Sequence, residues 1–200
     1  MNDVIPEMID AVFGVSGEML PANFSYALWN SLLNLIPAIE SQSCVGVIAP
    51  RTVFSVAGML LPKRSKLVVR LPLTHQSLYT ALSGQKLVMG DSILALGSGK
   101  LRPIQAYPTL HAHMVVGNED EVGFLGNVTN RLNELGIAGK LLCGMRNSMS
   151  ASNRIIKGYS LVIHDLKPGD SIRLQYAGLG AERRFGCGIF VPYKVITDLV

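Results

Sequence analysis

The sequence predicts an α+β fold built from two similar halves, and three observations indicate this class. Short apolar runs of strand length alternate with longer segments in which apolar residues recur at helical spacing. The order of these segments is the same in both halves of the 200-residue chain. Hydrophobic residues make up 48% of the chain, which is enough for a substantial buried core.

In the first half, apolar runs bounded by Gly, Pro or charged residues predict the strands Ile9–Val15, Val45–Ala49 and Leu67–Leu71, and one or two strands in Leu87–Leu96. A helix is predicted to begin at Pro21 and Asn23 and to end at Pro37. Its apolar face would hold Ala27, Leu28, Leu32, Leu35 and Ile36. A second, short helix is predicted at Gln76–Leu82, where Gly84 stops it.

The second half repeats this order. Strands are predicted at Leu110–Val116, Lys140–Cys143, Ile155–Ile163 and Phe185–Val191, and helices at Glu119–Leu135 and Pro168–Tyr176. Acidic residues in the first turn and a glycine at the end support the first of these helices. Each half therefore has the order β-α-β-β-α-β, which is typical of the ferredoxin-like (RRM-like) unit. We predict two tandem ferredoxin-like domains, at residues 1–100 and 108–200.

The last third of the chain contains a glycine-rich segment, Gly178-Leu-Gly-Ala-Glu-Arg-Arg-Phe-Gly-Cys-Gly188. Glycine permits positive φ and a close approach of the backbone to a ligand. Exposed amides in such a turn form a concavity that binds anions, and Arg183 and Arg184 add charge that suits phosphate. The sequence alone leaves a second interpretation open, in which the segment is a glycine-rich turn without a ligand.

The positive charge is concentrated in the same third of the chain. Residues 1–139 contain nine Lys and Arg against ten Asp and Glu, whereas residues 140–200 contain nine against four. A localised basic surplus is typical of nucleic-acid-binding proteins, although an ordinary solvated basic face has the same composition. No apolar stretch approaches the ~20 residues of a membrane span. Three widely spaced cysteines favour a reducing, cytoplasmic setting over a disulfide framework or a zinc site.

At this point the sequence resembles a known family, the CRISPR-associated endoribonucleases that cut precursor CRISPR RNA within its repeats, and in particular the short MYXAN-type members. The resemblance covers most of the chain, and the glycine-rich segment running into Ile-Phe-Val-Pro192 is its most specific part. Weaker matches are Phe13-x-Val-Ser-Gly17, Leu20-Pro-Ala-Asn-Phe-Ser-Tyr-Ala-Leu28, Arg102-Pro103 and Ile156-Lys-Gly158.

The resemblance implies RNA cleavage without a metal or another cofactor, in which the 2′-hydroxyl attacks the adjacent phosphate and leaves a 2′,3′-cyclic phosphate. That reaction needs proton-transfer groups and cations that stabilise the developing negative charge. The sequence departs from the family at one place. Relatives usually have Asp-His-x-Tyr after Leu-Pro-Ala, with the histidine as the expected acid or base, and Phe24 stands at that histidine's position here.

Four residues remain as candidates for the chemistry. Tyr26 matches the family tyrosine, and Ser25 precedes it on the same helix. His111 and His113 are two residues apart on a predicted strand, so both point to one face. Either histidine is a candidate for facing an RNA cleft as acid or base. The alternatives are that Tyr26 is an ordinary amphipathic helix residue and that the histidines form local hydrogen bonds.

Candidate RNA contacts come from the basic third of the chain. Arg146 and Arg154 flank a Ser- and Asn-rich stretch that we interpret as a hairpin loop able to enter an RNA groove, with Lys157 beyond it. The candidates in the glycine-rich segment are Gly178, Gly180, Arg183, Arg184, Gly186 and Gly188. In the first half, Arg64, Lys66 and Arg70 either extend this basic track or form a solvated strand face.

The sequence thus predicts a CRISPR-repeat-binding endoribonuclease that stays on the 3′ hairpin of the crRNA, together with other Cas effector subunits. Two alternatives remain at this stage. One is a non-catalytic subunit that binds the crRNA hairpin, and the other is a structural tandem ferredoxin-like module that binds protein partners.

Overall fold

A computed structural model describes residues 5–22, 24–56, 58–117 and 120–193. The first half forms a five-stranded antiparallel sheet whose strands are β1 (Met8–Ser16), β3 (Gly46–Ile48), β6 (Lys66–Pro72), β7 (Lys86–Met89) and β8 (Ser92–Pro103). These strands lie in the order β3-β6-β1-β8-β7. Helix α1 (Phe24–Leu35) follows β1, and the short α2 (Leu78–Leu82) precedes β7. Leu28 and Leu32 of α1 are buried as predicted, whereas Leu35 is partly exposed.

The second half forms a four-stranded antiparallel sheet in the order β10-β11-β9-β12. Its strands are β9 (Leu110–Val116), β10 (Lys140–Ala151), β11 (Arg154–His164) and β12 (Val191–Pro192), and its helices are α3 (Glu121–Glu134) and α4 (Pro168–Ala177). In both halves the strands of the βαββαβ unit lie in the order second, third, first, fourth. The fold is therefore α+β with two tandem ferredoxin-like units, as predicted.

The structure corrects two sequence-based expectations about these elements. Arg146 and Arg154 do not flank a loop, because β10 and β11 stay paired up to Ala151 and Arg154, and only Ser152 and Asn153 form the turn. Phe185–Val191 is not a strand, because a 3-10 turn covers Arg183–Phe185 and the pairing with β9 is limited to Val191 and Pro192.

A small third sheet was not predicted. It consists of β2 (Met19–Leu20), β5 (Gly58–Leu60) and β4 (Val53–Ser55), in the order β2-β5-β4. These strands are only two or three residues long, so alternating hydrophobicity had too few positions to show. Strand β8 ends three residues after the predicted limit of the first domain, and the domain boundaries themselves stay a prediction.

The two halves are joined by packing and by a buried charge network. One cluster of buried side chains contains residues of the first half together with Met114, Ala151, Ile156, Phe185 and Cys187. Arg70 of β6 is 1% exposed, which excludes it both from an extended basic track and from a solvated strand face. Its guanidinium donates to Asp10 and to the backbone oxygens of Gln175 and Phe190, so β6 is tied to the C-terminal half. In the described ranges, no helix has the length and apolar character that crossing a membrane requires.

Candidate functional site

The start of helix α1 faces the β10–β11 hairpin across an open cleft of about 330 Å³. The lining residues are Ala22, Ser25, Ser148, Met149, Ser150 and Ile155. Ser148 pairs with Lys157 and Ser150 pairs with Ile155. Directly paired residues of an antiparallel ladder share a face, so Lys157 lies on the cleft side of the hairpin. The cleft thus combines hydroxyl groups, an exposed lysine and the amide end of a helix, a combination that suits a phosphate.

Tyr26 lies beside this cleft and contacts the tip of the hairpin. Hydrogen bonds from Asn30 and Ser152 stabilise the ionised phenol and lower the pKa of Tyr26 below its usual value of 10.0. The tyrosine ring also packs at 5.9 Å, centroid to centroid, from the ring of Phe185. Phe24, at the position of the family histidine, is half-buried and packs against the core. Asn23 lies outside the described residues.

The glycine-rich segment forms a compact structure that packs against β9 and β3. Gly188 has a φ of +65°, and a Cβ at this position would lie 1.9 Å from the backbone oxygen of Leu179. Its amide donates to Met114 and its oxygen accepts from the amide of Leu179. Gly178, with a φ of +64°, has similarly little room, because its Cβ would lie 2.6 Å from the oxygen of Gly188. At these two positions the glycines permit backbone-to-backbone packing.

The other two candidate glycines lie on different sides of the segment. Gly186 ends the 3-10 turn, and a Cβ there would meet the oxygen of Val47 in β3 at 3.1 Å. Gly180 lines a second cleft, of about 470 Å³, together with Gly178 and residues of β9 and α3. The four glycines therefore do not converge on the cleft beside α1.

Arg183 is buried and does not present its charge at the surface, contrary to expectation. Its side chain is inside the protein, with 7% of the residue exposed, and Nη1 donates to the backbone oxygens of Tyr176 and Ala177 at the end of α4. Burial, together with the charge of Arg70, lowers the pKa of the Arg183 guanidinium to about 10, and a contribution from Cys44 opposes this shift. Its Nε and Nη2 atoms have no protein partner among the described residues. Arg183 therefore joins the loop to the end of α4.

Arg184 and Arg154 are exposed cations of this region. Each donates to the same carboxylate, that of Glu182, with Arg154 Nη2 at 2.6 Å from Oε1 and Arg184 Nε at 3.1 Å from Oε2. The Arg184 guanidinium also lies 4.9 Å above the ring of Phe185. Arg146 lies farther along β10, with its guanidinium 5.6 Å from the ring centroid of Tyr159. The structure thus places Arg154 and Arg184 together and Arg146 apart from them.

His111 and His113 lie on β9, where the backbone oxygen of His113 accepts from Asn147 Nδ2 at 3.1 Å, one residue before Ser148 of the cleft. Ala112, between them, pairs with Leu161, which is five residues along β11 from Ile156 in the hairpin beside the cleft. At ~3.3 Å per residue this separation is about 16 Å. Burial and the charge of His113 lower the pKa of His111. The structure does not bring these histidines together with Ser25 and Tyr26. Over the described ranges, no three His, Cys, Asp or Glu side chains are grouped closely enough to hold a metal.

Sequence reasoning missed two residues of this region, Glu182 and Ser152, and one residue of the first sheet, Asp10. Glu182, which binds both exposed arginines, stands inside the glycine-rich segment, but its partner Arg154 is 28 residues away. Ser152 was noted only as part of a polar stretch, although it contacts Tyr26. Asp10 binds Arg70 and Arg102 across the first sheet. Of these residues, Glu182 alone could have been noticed in the sequence, because it is a single carboxylate directly before two arginines.

Comparisons with known proteins agree with this architecture. The CRISPR-associated endonuclease Cas6 of Myxococcus xanthus (strain DK1622) is 28% identical over 186 residues, which cover 92% of this chain and 81% of that protein. A solved RAMP protein that binds different RNA substrates is similar in fold, with a TM-score of 0.65 at 14% identity over 92% of this chain and 98% of that one. The CRISPR endoribonuclease Cse3 bound to a 19-nucleotide RNA has a TM-score of 0.53 at 9% identity, with the same coverage. The Cas6 CRISPR family model matches residues 9–195, and the chain therefore belongs to the Cas6 CRISPR family.

Proposed function

We propose that this protein binds CRISPR repeat RNA and cuts it at the cleft between the start of α1 and the β10–β11 hairpin. The observation that carries the proposal is the convergence at one place of three separate elements. Helix α1 supplies Ser25 and Tyr26, and the hairpin supplies Lys157 on the cleft side. Beside Tyr26, the glycine-rich segment supplies Arg184, which shares the carboxylate of Glu182 with Arg154 of the hairpin tip. Family membership and the endonuclease name of the Myxococcus relative support the same conclusion.

The proposed reaction is a metal-independent transesterification within the RNA. The 2′-oxygen loses its proton and attacks the neighbouring phosphorus, and the bond from phosphorus to the 5′-oxygen breaks. The leaving 5′-oxygen takes up a proton, so the products are a 2′,3′-cyclic phosphate and a 5′-hydroxyl. Cations beside the phosphate stabilise the additional negative charge of the transition state.

Four residues in or beside the cleft have a role in this proposal. Tyr26 is the proton-transfer candidate, because two hydrogen bonds favour its ionised form. Ser25 donates a hydrogen bond to a phosphate oxygen from the first turn of α1, where the helix amides also favour an anion. Lys157 and Arg184 neutralise phosphate charge. His111 and His113 stay weaker candidates, because neither is among the residues that line the cleft.

Most of the binding energy would come from phosphates, and the shape of the RNA stem would provide selectivity. The long β10–β11 hairpin extends beyond β9, so its exposed tip is suited to a groove of a stem. After cleavage, the protein would stay on the 3′ hairpin of the crRNA within an effector complex.

The test is cleavage of a labelled repeat RNA transcribed from the host's own CRISPR array, followed by mapping of both new ends. We expect cutting in EDTA, a cyclic phosphate on the upstream product, and no cutting when the attacking nucleotide is 2′-deoxy. A 3′-hydroxyl product or a requirement for added magnesium would contradict the mechanism.

One observation favours a second candidate function, a hairpin-binding subunit without nuclease activity. Phe24 cannot transfer a proton, and it stands where MYXAN-type relatives usually have the histidine. Tight, repeat-specific binding with no cleavage at any pH would support this alternative. Absence of repeat-specific binding would contradict both candidates.

A further inference from the structure

Glu182 holds together two elements of the cleft that are far apart in the sequence. Its carboxylate accepts from Arg154 at the start of β11 and from Arg184 in the glycine-rich segment, one guanidinium on each oxygen. The Glu182 side chain is only 12% exposed, whereas those of the two arginines are 53% and 44% exposed. The carboxylate therefore lies beneath two cations that remain accessible to an RNA phosphate.

A second path connects the same two elements on the other side. Arg184 packs over the ring of Phe185, and Phe185 packs against Tyr26. Tyr26 is hydrogen-bonded to Ser152 at the hairpin tip, two residues before Arg154. Together with the contacts of Glu182, these interactions form a closed ring through the hairpin tip, the start of α1 and the glycine-rich segment.

The backbone of Glu182 indicates that its side chain is needed at this position. Its φ is +64° with a ψ of 34°, in the left-handed region that favours glycine, and glycines surround it in the sequence. Its backbone oxygen accepts from the amides of Phe185 and Cys187 and so closes the turn. Glycine would form the same turn with less backbone strain, but it would lack the carboxylate.

We propose that Glu182 is a positioning residue, which fixes the guanidinium groups of Arg154 and Arg184 side by side so that they bind one phosphate next to Tyr26. This inference rests on the proposed function. The positioning role predicts that loss of the carboxylate changes RNA affinity and cleavage rate in opposite directions. Removing the carboxylate makes the surface more positive, so general attraction for RNA rises, yet the cations lose their fixed placement and cleavage slows.

The experiment uses Glu182→Gln, with Asp165→Asn as the matched control. Asp165 also has a positive φ, of 60°, is paired with a lysine (Lys140), and loses one negative charge on substitution. In Glu182→Gln, the amide nitrogen faces one of the two guanidiniums and cannot accept its hydrogen bond. Glu182→Gly is the second variant, since its backbone suits the turn and folding is retained.

Three measurements are made on each protein: the single-turnover cleavage rate of the repeat, the affinity for the repeat, and the affinity for an unrelated RNA of equal length. In both Glu182 variants we expect the rate to fall by about 100-fold, the order that misplacement of a reacting group produces. Affinity for the unrelated RNA should stay equal or rise, as in Asp165→Asn, which should cut at the wild-type rate. The preference for the repeat should decrease in the Glu182 variants alone.

The outcomes separate this inference from the proposed function. If wild-type protein shows no preference for the repeat, the proposed function fails, whatever the variants do. If wild-type protein cuts the repeat and the Glu182 variants cut it at the same rate, the positioning role is wrong and the proposed function stands. A slower rate in Asp165→Asn of the same size would also contradict the positioning role, because net charge would then explain the loss.

Discussion

Substitution of Gly188 by alanine tests whether the glycines of the segment 178–188 act in folding or in RNA contact. An added Cβ would lie 1.9 Å from the oxygen of Leu179, and the φ of +65° is unfavourable for alanine. The left-handed conformation costs about 1–2 kcal/mol for a residue with a Cβ. Relief of the clash would separate the Gly188–Leu179 and Gly188–Met114 hydrogen bonds, at about 1 kcal/mol each.

We therefore expect Gly188→Ala to lower the free energy of unfolding by about 3 kcal/mol or more. In a chain of this length, that corresponds to a fall in Tm of ~6–12 °C. Gly84→Ala is the matched control, because Gly84 has a φ of +76° and no atom of the described residues lies within 4 Å of its added Cβ. It should cost only about 1 kcal/mol, since the strain is partly offset by a less flexible unfolded chain.

The assay is urea unfolding followed by circular dichroism, in the absence of RNA. A difference of less than about 0.5 kcal/mol between the two variants would refute the close-packing argument. Loss of repeat binding by a Gly188→Ala protein of wild-type stability would instead assign this glycine to the RNA contact.

Three further predictions follow from the same structure. Asp10→Asn should lower the free energy of unfolding by about 3–5 kcal/mol in urea unfolding, because it leaves the buried charge of Arg70 uncompensated; a change below 1 kcal/mol would contradict this. Phe24→His should raise the single-turnover cleavage rate, with ~10²–10⁴-fold as the full range for a proton-transfer group, and an unchanged rate would place proton transfer elsewhere. With the Tyr26 phenolate as the proposed base, its lowered pKa means that the wild-type rate should rise with pH and reach half of its maximum below the pH at which a free tyrosine ionises. Tyr26→Phe should lose this rise, and an identical pH profile in that variant would exclude Tyr26 from proton transfer.

The order of elements could be predicted from the sequence because it depends on local periodicity. Alternation and helical spacing are set by neighbouring residues, so β1, α1, β9 and α3 were located to within a few residues. The glycine-rich segment and the basic last third were also visible, because they are properties of composition.

The tertiary structure decided which segments pair with each other as strands. The Ser- and Asn-rich part of β10 shows only a short alternation, with Met149 and Ala151 between serines, and it is a strand because β11 satisfies its backbone hydrogen bonds up to Ala151. Conversely, the predicted strand Phe185–Val191 is mostly not a strand, because Gly188 bonds to Leu179 and Met114 and the Phe190 oxygen accepts from the buried side chain of Arg70.

The two arginines of the glycine-rich segment show most clearly which properties the sequence predicts and which depend on the tertiary structure. In the sequence, Arg183 and Arg184 are equivalent neighbours with one expected role. The 3-10 turn directs Arg183 inward, where backbone oxygens at the end of α4 accept its hydrogen bonds, and directs Arg184 outward to Glu182. The sequence by itself determined that this protein concentrates positive charge around a glycine-rich turn. Only the tertiary structure decided which charges reach the surface, because burial depends on elements that are distant along the chain.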